Sequence, residues 1–201
     1  MTSRQPSKTH RIRTSRVGVA LLGAASITVA DAPRVRPATW AQPVVGTTIG
    51  NCYKVSADLF RSEQPTVSDI ADLKALGIRT ILNLREYHED DAKLKEAGFQ
   101  LVHDPVAAGS LGGADMTRIL GRIRDAQKPV LVHCWHGSDR TGFTVAGYRM
   151  VFQGWSAAEA VDEFKLGGFG YHKRFYPKLP ATLNAMDIPA IRTQLGVTST
   201  P

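Results

Sequence analysis

Residues 133–142 read HCWHGSDRTG, and they sit between the apolar run PVLV at 129–132 and the helix-forming stretch TGFTVAGYRMVFQG that begins at Thr141. A short run that is apolar on both faces is what a central parallel strand requires. A strand that breaks at a glycine-bearing loop and re-enters as a helix is one unit of an α/β layer fold. The backbone amides of such a loop meet the unpaired N–H groups of the helix N-terminus, a place suited to oxyanions. Gly137 permits the tight curl that turns successive N–H groups of Trp135, His136, Gly137, Ser138 and Asp139 inward. Arg140 adds a planar fork that matches two oxygens of a phosphate.

The same donors act on Cys134. A free thiol is only about 3% ionised at neutral pH, and helix N-termini or cationic neighbours raise that share. One ring of amides and one guanidinium thus activate a nucleophile and bind the group it attacks. His133 is placed to hold the loop or the sulfur, and Thr141 to offer its hydroxyl to the sulfur when it departs.

Working outward, other stretches repeat the alternation of strand and helix. NCYKV and DLFRS read as short strands. PTVSDIADLKALG reads as a helix with Thr66 as N-cap, Asp69 three residues on and Gly77 as its stop. IRTILNL is a short β-branched strand, DDAKLKEAG a helix ended by Gly98, and FQLVHDPV a strand halted at Pro105. MTRILGRIRDAQ is a helix that Asp115 could cap, and SAAEAVDEF carries the Ser156 and Glu159 capping pair. A last helix follows Pro177. The expected fold is α/β, a single domain with a mostly parallel central sheet flanked by helices.

Composition fits a globular chain: 201 residues, 43% hydrophobic, 21% charged. The net charge of +7 raises the question of nucleic acid, and its location answers it. Residues 1–30 hold Arg4, Lys8, Arg11, Arg13 and Arg16 and no acidic residue, leaving twenty basic against eighteen acidic side chains elsewhere. No basic stripe marks the remainder, so nucleic acid is not an expected partner. The leader has a basic segment through Arg16, an apolar run of about fourteen residues, VGVALLGAASITVA, and small residues ending at Ala30. That order is expected of a signal peptide, and the run is short for a membrane span, so no stable insertion is expected. If the leader is cleaved the protein is periplasmic or secreted, and otherwise cytoplasmic. Residues 31–48 are expected to form a Pro-rich linker, 49–186 the domain, and 187–201 a C-terminal tail.

The two cysteines, Cys52 and Cys134, are no disulfide framework. Cys52 is expected to be a small buried hydrophobe, with a redox bridge to Cys134 as the alternative. His103, His133, Cys134 and His136 match no zinc spacing, so neither metal nor cofactor is expected. Arg61, in FRSEQP, is expected to be a structural salt bridge or to meet substrate. Tyr171 to Arg174 is expected to be a solvated polar face.

His-Cys, five residues, then Arg-Thr-Gly resembles the signature of the cysteine-dependent protein tyrosine and dual-specificity phosphatases. LFRSEQPT, LKALGIRTILNLRE, VLVHCWHGSDRTG, GYRMVFQGWS and GGFG are similar to recurring blocks of their small bacterial branch. The resemblance implies a phosphotyrosine-phosphatase-like fold, a phosphocysteine on Cys134, phosphate held by the loop with Arg140, and no metal. It also implies a general acid about thirty residues before the cysteine, which by counting is Asp104. The branch places its acid a few positions later, where Ala107, Ala108 and Gly109 stand; Asp115 is the other carboxyl in range. The implied function is hydrolysis of phosphate monoesters, phosphotyrosine first, with phosphoserine and phosphothreonine as further protein substrates. Inositol polyphosphate or pyrophosphate hydrolysis is an alternative, which the Asp139 carboxylate inside the loop disfavours. A phosphate-binding module without turnover is another. A sulfur-transfer or arsenate-reducing thiol enzyme shares the cysteine loop but not the Arg-Thr-Gly ending. Oligomeric state is not legible.

Overall fold

The computed structural model describes residues 1–2 and 35–198. The expected signal peptide and its cleavage site therefore fall outside the described residues. Among the described residues six strands form one sheet: β1 (Gln42–Pro43), β2 (Tyr53–Lys54), β3 (Leu59–Ser62), β4 (Thr80–Asn83), β5 (Gln100–His103) and β6 (Val130–His133). Their order is β1-β2-β3-β6-β4-β5. The pairs of β3, β6, β4 and β5 are parallel, and β1 and β2 add an antiparallel edge. The expected α/β domain with a mostly parallel sheet is the fold observed.

Seven α-helices among the described residues accompany the sheet: α1 (Ile70–Ala75), α2 (Ala92–Glu96), α3 (Gly113–Asp125), α4 (Asp139–Phe152), α5 (Ala157–Leu166), α6 (Leu179–Asn184) and α7 (Ile188–Gln194). Apolar side chains divide between two clusters. One contains Leu82, Val130, Val132, Met116, Ile119, Phe143 and Phe164 from the α3, α4 and α5 side; the other contains Phe60, Ile81, Leu131, Leu73 and Leu94 with α1 and α2. Alternation along β6 sends Val130 and Val132 to the first and Leu131 to the second, the period-2 pattern of a strand covered on both sides. α4 is central: eleven of its residues, Asp139 and Arg149 among them, are buried.

The helix ends follow local chemistry. Thr66 donates its N–H and hydroxyl to Asp69 Oδ2 at 2.7 and 2.8 Å ahead of α1. Ser156 and Glu159 form a reciprocal box at α5. Asp115 is not the N-cap of α3; Gly112 is, and the Asp115 carboxylate accepts from the Gly112 N–H at 3.1 Å.

Both flanking segments are corrected. The expected linker over 31–48 contributes β1, and Ala41 is fully buried with its N–H on Glu163 Oε1 at 2.5 Å. The expected tail over 187–201 contains α7, whose Ile191 is buried, with Leu195 just after it, in the larger cluster. A two-residue strand and a two-turn helix carry too little periodicity to stand out from loop composition, and their order comes from what they pack against.

Glu163 accepts from Arg149 Nε and Nη2, both at 2.8 Å, and both residues are buried. Removing one charge from such a pair strands the other in a medium that solvates it poorly. Glu163→Gln is therefore expected to cost about 3 kcal/mol of folding stability, read by urea denaturation.

Candidate active site

β6 delivers His133 and Cys134 to the C-terminal edge of the sheet, and α4 begins at Asp139, so residues 134–138 form a loop over the N-terminus of a 14-residue helix. Cys134 is 3% exposed, at the floor of this loop. What orients the loop is a set of bonds to its outward carbonyls. Cys134 O faces His133 Nδ1 at 3.0 Å. Trp135 O accepts from the Gln64 N–H at 3.2 Å, His136 O from Asn51 Nδ2 at 2.8 Å, and Gly137 O from Arg61 Nη2 at 2.5 Å. In a trans peptide the N–H points opposite to the C=O of the same plane. Pinning four successive carbonyls outward thus turns the N–H groups of Trp135, His136, Gly137 and Ser138 the other way, into one concavity.

Gly137 is required twice. Its φ is +69°, and a Cβ there would lie 2.5 Å from the carbonyl carbon and oxygen of Ser62. The loop lies directly against the end of β3, the FRSE stretch of the sequence. Ser138 donates its hydroxyl to Phe169 O at 2.7 Å, so its side chain anchors the loop to the GGFG segment. Asp139 also faces away: Oδ2 meets His172 Nδ1 at 2.7 Å and Oδ1 accepts the His172 N–H at 2.9 Å. The objection that Asp139 repels a polyanion is corrected accordingly. His172 is part of the loop's support and not of a purely solvated face.

Arg140 makes no ion pair or side-chain hydrogen bond among the described residues, and it lines a cavity of about 270 Å³ with Arg85, Glu86, Tyr87, His88, Ala108, Trp135 and Tyr176. Trp135 is 48% exposed on this rim, 5.4 Å from the His88 ring. His136 is exposed and lies 5.4 Å from the His172 ring. The Thr141 hydroxyl is buried with no hydrogen-bond partner among the described residues, free for a group that enters the loop.

Three residues escaped the sequence reading. Asp90, ahead of α2, reaches His133 Nε2 at 3.0 Å and Arg85 Nη2 at 2.9 Å. Both ring nitrogens of His133 therefore face oxygens, the Cys134 carbonyl and the Asp90 carboxylate, which fix the plane of the ring. Arg85, left unassigned, is buried beside Asp90; burial pushes its guanidinium down, and Asp90 and Cys134 are among the groups opposing that. Asn51, with φ of +51°, joins His136 O to Phe169 O. Asn51 and Asp90 reach their partners in and beside the loop across 85 and 43 residues, and Arg85, although only five residues from Asp90, shows its place only once Asp90 is set against His133.

The acid expected at Asp104 is corrected. Asp104 is buried and ion-paired with Arg118, and its Oδ2 lies 3.4 Å from Arg122 Nε, on the side of α3. Two guanidiniums favour the charged carboxylate, the opposite of what a proton donor needs. It is not among the residues lining the cavity with Arg140. Asp115 is occupied at the start of α3 with the Gly112 N–H and with Arg118 Nη2 at 2.9 Å. Asp104→Asn is expected to leave the basic limb of a kcat profile in place while lowering stability by about 1–2 kcal/mol. Loss of that limb would reinstate Asp104.

Cys52 belongs to the cluster on the other side of the sheet from Cys134, and burial pushes its thiol up to about 11. Both cysteines are free. Among the described residues no group of three or more His, Cys, Asp or Glu side chains could hold a metal ion, and no helix is long and apolar enough to cross a membrane.

The chain is 35% identical over 156 residues to the dual specificity protein phosphatase TpbA of Pseudomonas aeruginosa strain UCBPP-PA14, covering 77% of this chain and 70% of that protein. It belongs to the dual-specificity phosphatase family. A family model described as a polymorphic toxin system DSP-PTPase phosphatase matches residues 55–154 of this phosphatase. The crystal structure of P. aeruginosa TpbA superposes with a TM-score of 0.70 at 31% identity, over 79% of this chain and 98% of that one. A cysteine-to-serine form of TpbA in complex with phosphotyrosine matches with a TM-score of 0.72 at 30% identity, over 80% and 98%. Inositol diphosphatase DSP3 of Arabidopsis thaliana is 27% identical over 136 residues, 62% of this chain and 66% of that protein.

Proposed function

We propose that this phosphatase hydrolyses phosphotyrosine, and more slowly phosphoserine and phosphothreonine, on proteins through a phosphocysteine at Cys134. The observation that carries the reading is the outward pinning of four successive carbonyls above Cys134, beside an Arg140 whose side chain has no polar partner among the described residues. The inward N–H groups of 135–138 hold the nonbridging phosphoryl oxygens, and the Arg140 fork holds two of them as charge develops. The sulfur attacks phosphorus; the S–P bond forms as the P–O bond to the leaving oxygen breaks. That oxygen takes up a proton at the rim, where Glu86 and His88 are the carboxyl and imidazole groups. Water then attacks phosphorus and gives up a proton to the rim group that had protonated the leaving oxygen; the S–P bond breaks, and the Thr141 hydroxyl donates a hydrogen bond to the departing sulfur.

Trp135, Tyr87 and Tyr176 give the cavity aromatic walls suited to a phenyl ring, and TpbA, the relative matched above, forms a complex with phosphotyrosine. For the leader we propose export, with Asp31 near the mature N-terminus and the enzyme periplasmic or secreted; its support is the order of basic, apolar and small residues over 1–30. N-terminal sequencing of protein recovered from periplasm and cytoplasm tests it, and an intact Met1 in the exported pool overturns it.

Comparing kcat/KM for a phosphotyrosine peptide, the matching phosphoserine peptide, p-nitrophenyl phosphate and an inositol pyrophosphate tests the substrate reading. The phosphotyrosine peptide is expected to exceed the phosphoserine peptide at least about tenfold, since the leaving phenolate needs less help from an acid than an alkoxide. Turnover of the inositol pyrophosphate alone, or phosphopeptide binding with no turnover, overturns it.

A further inference from the structure

Arg61 fits neither of its sequence expectations. It is fully buried, so it cannot meet substrate from solvent, and it has no salt-bridge partner within 4.0 Å among the described residues. Its guanidinium stacks 3.6 Å from the Phe169 ring centroid and donates to Gly137 O, while Nε and Nη1 are buried with no hydrogen-bond partner among the described residues. It lies beneath the N-terminus of α4, its Nη2 3.7 Å from where a Cβ on Gly142 would stand. A cation there is opposed by burial and by the positive end of the helix dipole together.

The surrounding charges leave few anions to offset it. Glu163 on α5 is held bidentately by Arg149 on α4, and Arg149 itself repels Arg61. Tyr53 on β2 presents a phenol and Phe169 its ring face, and neither is a carboxylate. Burial pushes Arg61 down to about 10, with Glu163 and then Cys134 opposing the drop. The group near Arg61 that can become an uncommitted anion is the Cys134 sulfur, followed by the phosphoryl group it accepts.

We propose that Arg61 is a second cation of the phosphate site, a positioning residue that acts from below through the loop. Its bond to Gly137 O turns the Ser138 N–H into the cradle, and its unneutralised charge stabilises the Cys134 thiolate and the bound oxyanion. The site then holds a guanidinium above the phosphate, Arg140, and one beneath the loop, and it favours dianionic tetrahedral ligands over monoanions. Empty, the loop keeps a buried charge in deficit, which a bound dianion relieves.

The inference rests on the phosphatase reading, and one set of measurements separates the two. Arg61→Gln keeps a donor for Gly137 O without the charge, and Arg61→Lys keeps the charge without the fork. Expected are a roughly tenfold slower alkylation of Cys134 by iodoacetate and roughly tenfold weaker orthovanadate inhibition in Arg61→Gln, with Arg61→Lys alkylated within about threefold of the wild type. Wild-type rates and affinities in both variants overturn the role of Arg61, as does a loss of stability in which the folded fraction still alkylates at the wild-type rate. If Arg61→Gln does not fold, Arg61→Lys decides: alkylation slowed tenfold despite the retained charge overturns it. A wild type that neither alkylates at neutral pH nor responds to vanadate sinks the phosphatase reading itself.

Discussion

Cys134→Ser is expected to lower kcat/KM toward p-nitrophenyl phosphate by about 10⁴-fold or more, the scale of losing a covalent nucleophile. A serine hydroxyl fills the same 3%-exposed space, so the cradle survives the substitution. What is lost is the thiol's chemistry: a serine hydroxyl holds its proton far more tightly than a cysteine thiol and is the poorer nucleophile. The variant is therefore expected to bind a phosphotyrosine peptide while failing to turn it over, read by calorimetry beside stopped-time assays. Residual activity within tenfold of the wild type would mean that water, and not the sulfur, attacks phosphorus.

Arg140→Lys has the next largest effect, a loss of about 10² to 10³ in kcat/KM, because a point charge replaces a fork whose two N–H groups fit two oxygens of the transferring phosphoryl. Arg140 makes no bond to the protein among the described residues, so thermal stability without ligand is expected to move by less than about 0.5 kcal/mol. The separation of the two readouts is the test: a substitution that costs stability and activity alike would place Arg140 in the scaffold. Arg149 shows the contrasting behaviour, since its guanidinium is spent on Glu163, Val55 O and Gln153.

The order of elements was legible because each carries its own period and punctuation. PVLVH is apolar on both faces and is the central strand β6; Gly77 and Gly98 end helices with φ of +73° and +100°. Ser156 and Glu159 cap α5 as their spacing implies. β1 and α7 were not legible, because two and seven residues give no periodicity to read, and contact with Glu163 and with the core around α3 and α4 orders them.

For the site, local sequence defined what one loop can contain: a cysteine, a run of amides, a glycine and an arginine at the mouth of a helix. It did not define which way those amides point. That depends on Gln64, Asn51 and Arg61, which come to the loop from 71, 85 and 76 residues away in the chain; the block LFRSEQPT holds two of them without saying which carbonyl each reaches. Counting back from the cysteine likewise selected Asp104, since a count knows distance along the chain and not that α3 would bring Arg118 and Arg122 to it. Sequence by itself determined the strand-loop-helix unit and the cysteine at its floor, because backbone period and residue chemistry are local. Only the tertiary structure decided the direction of the amides, the partner of each buried charge and the loss of the expected acid, because burial couples groups that the chain keeps far apart.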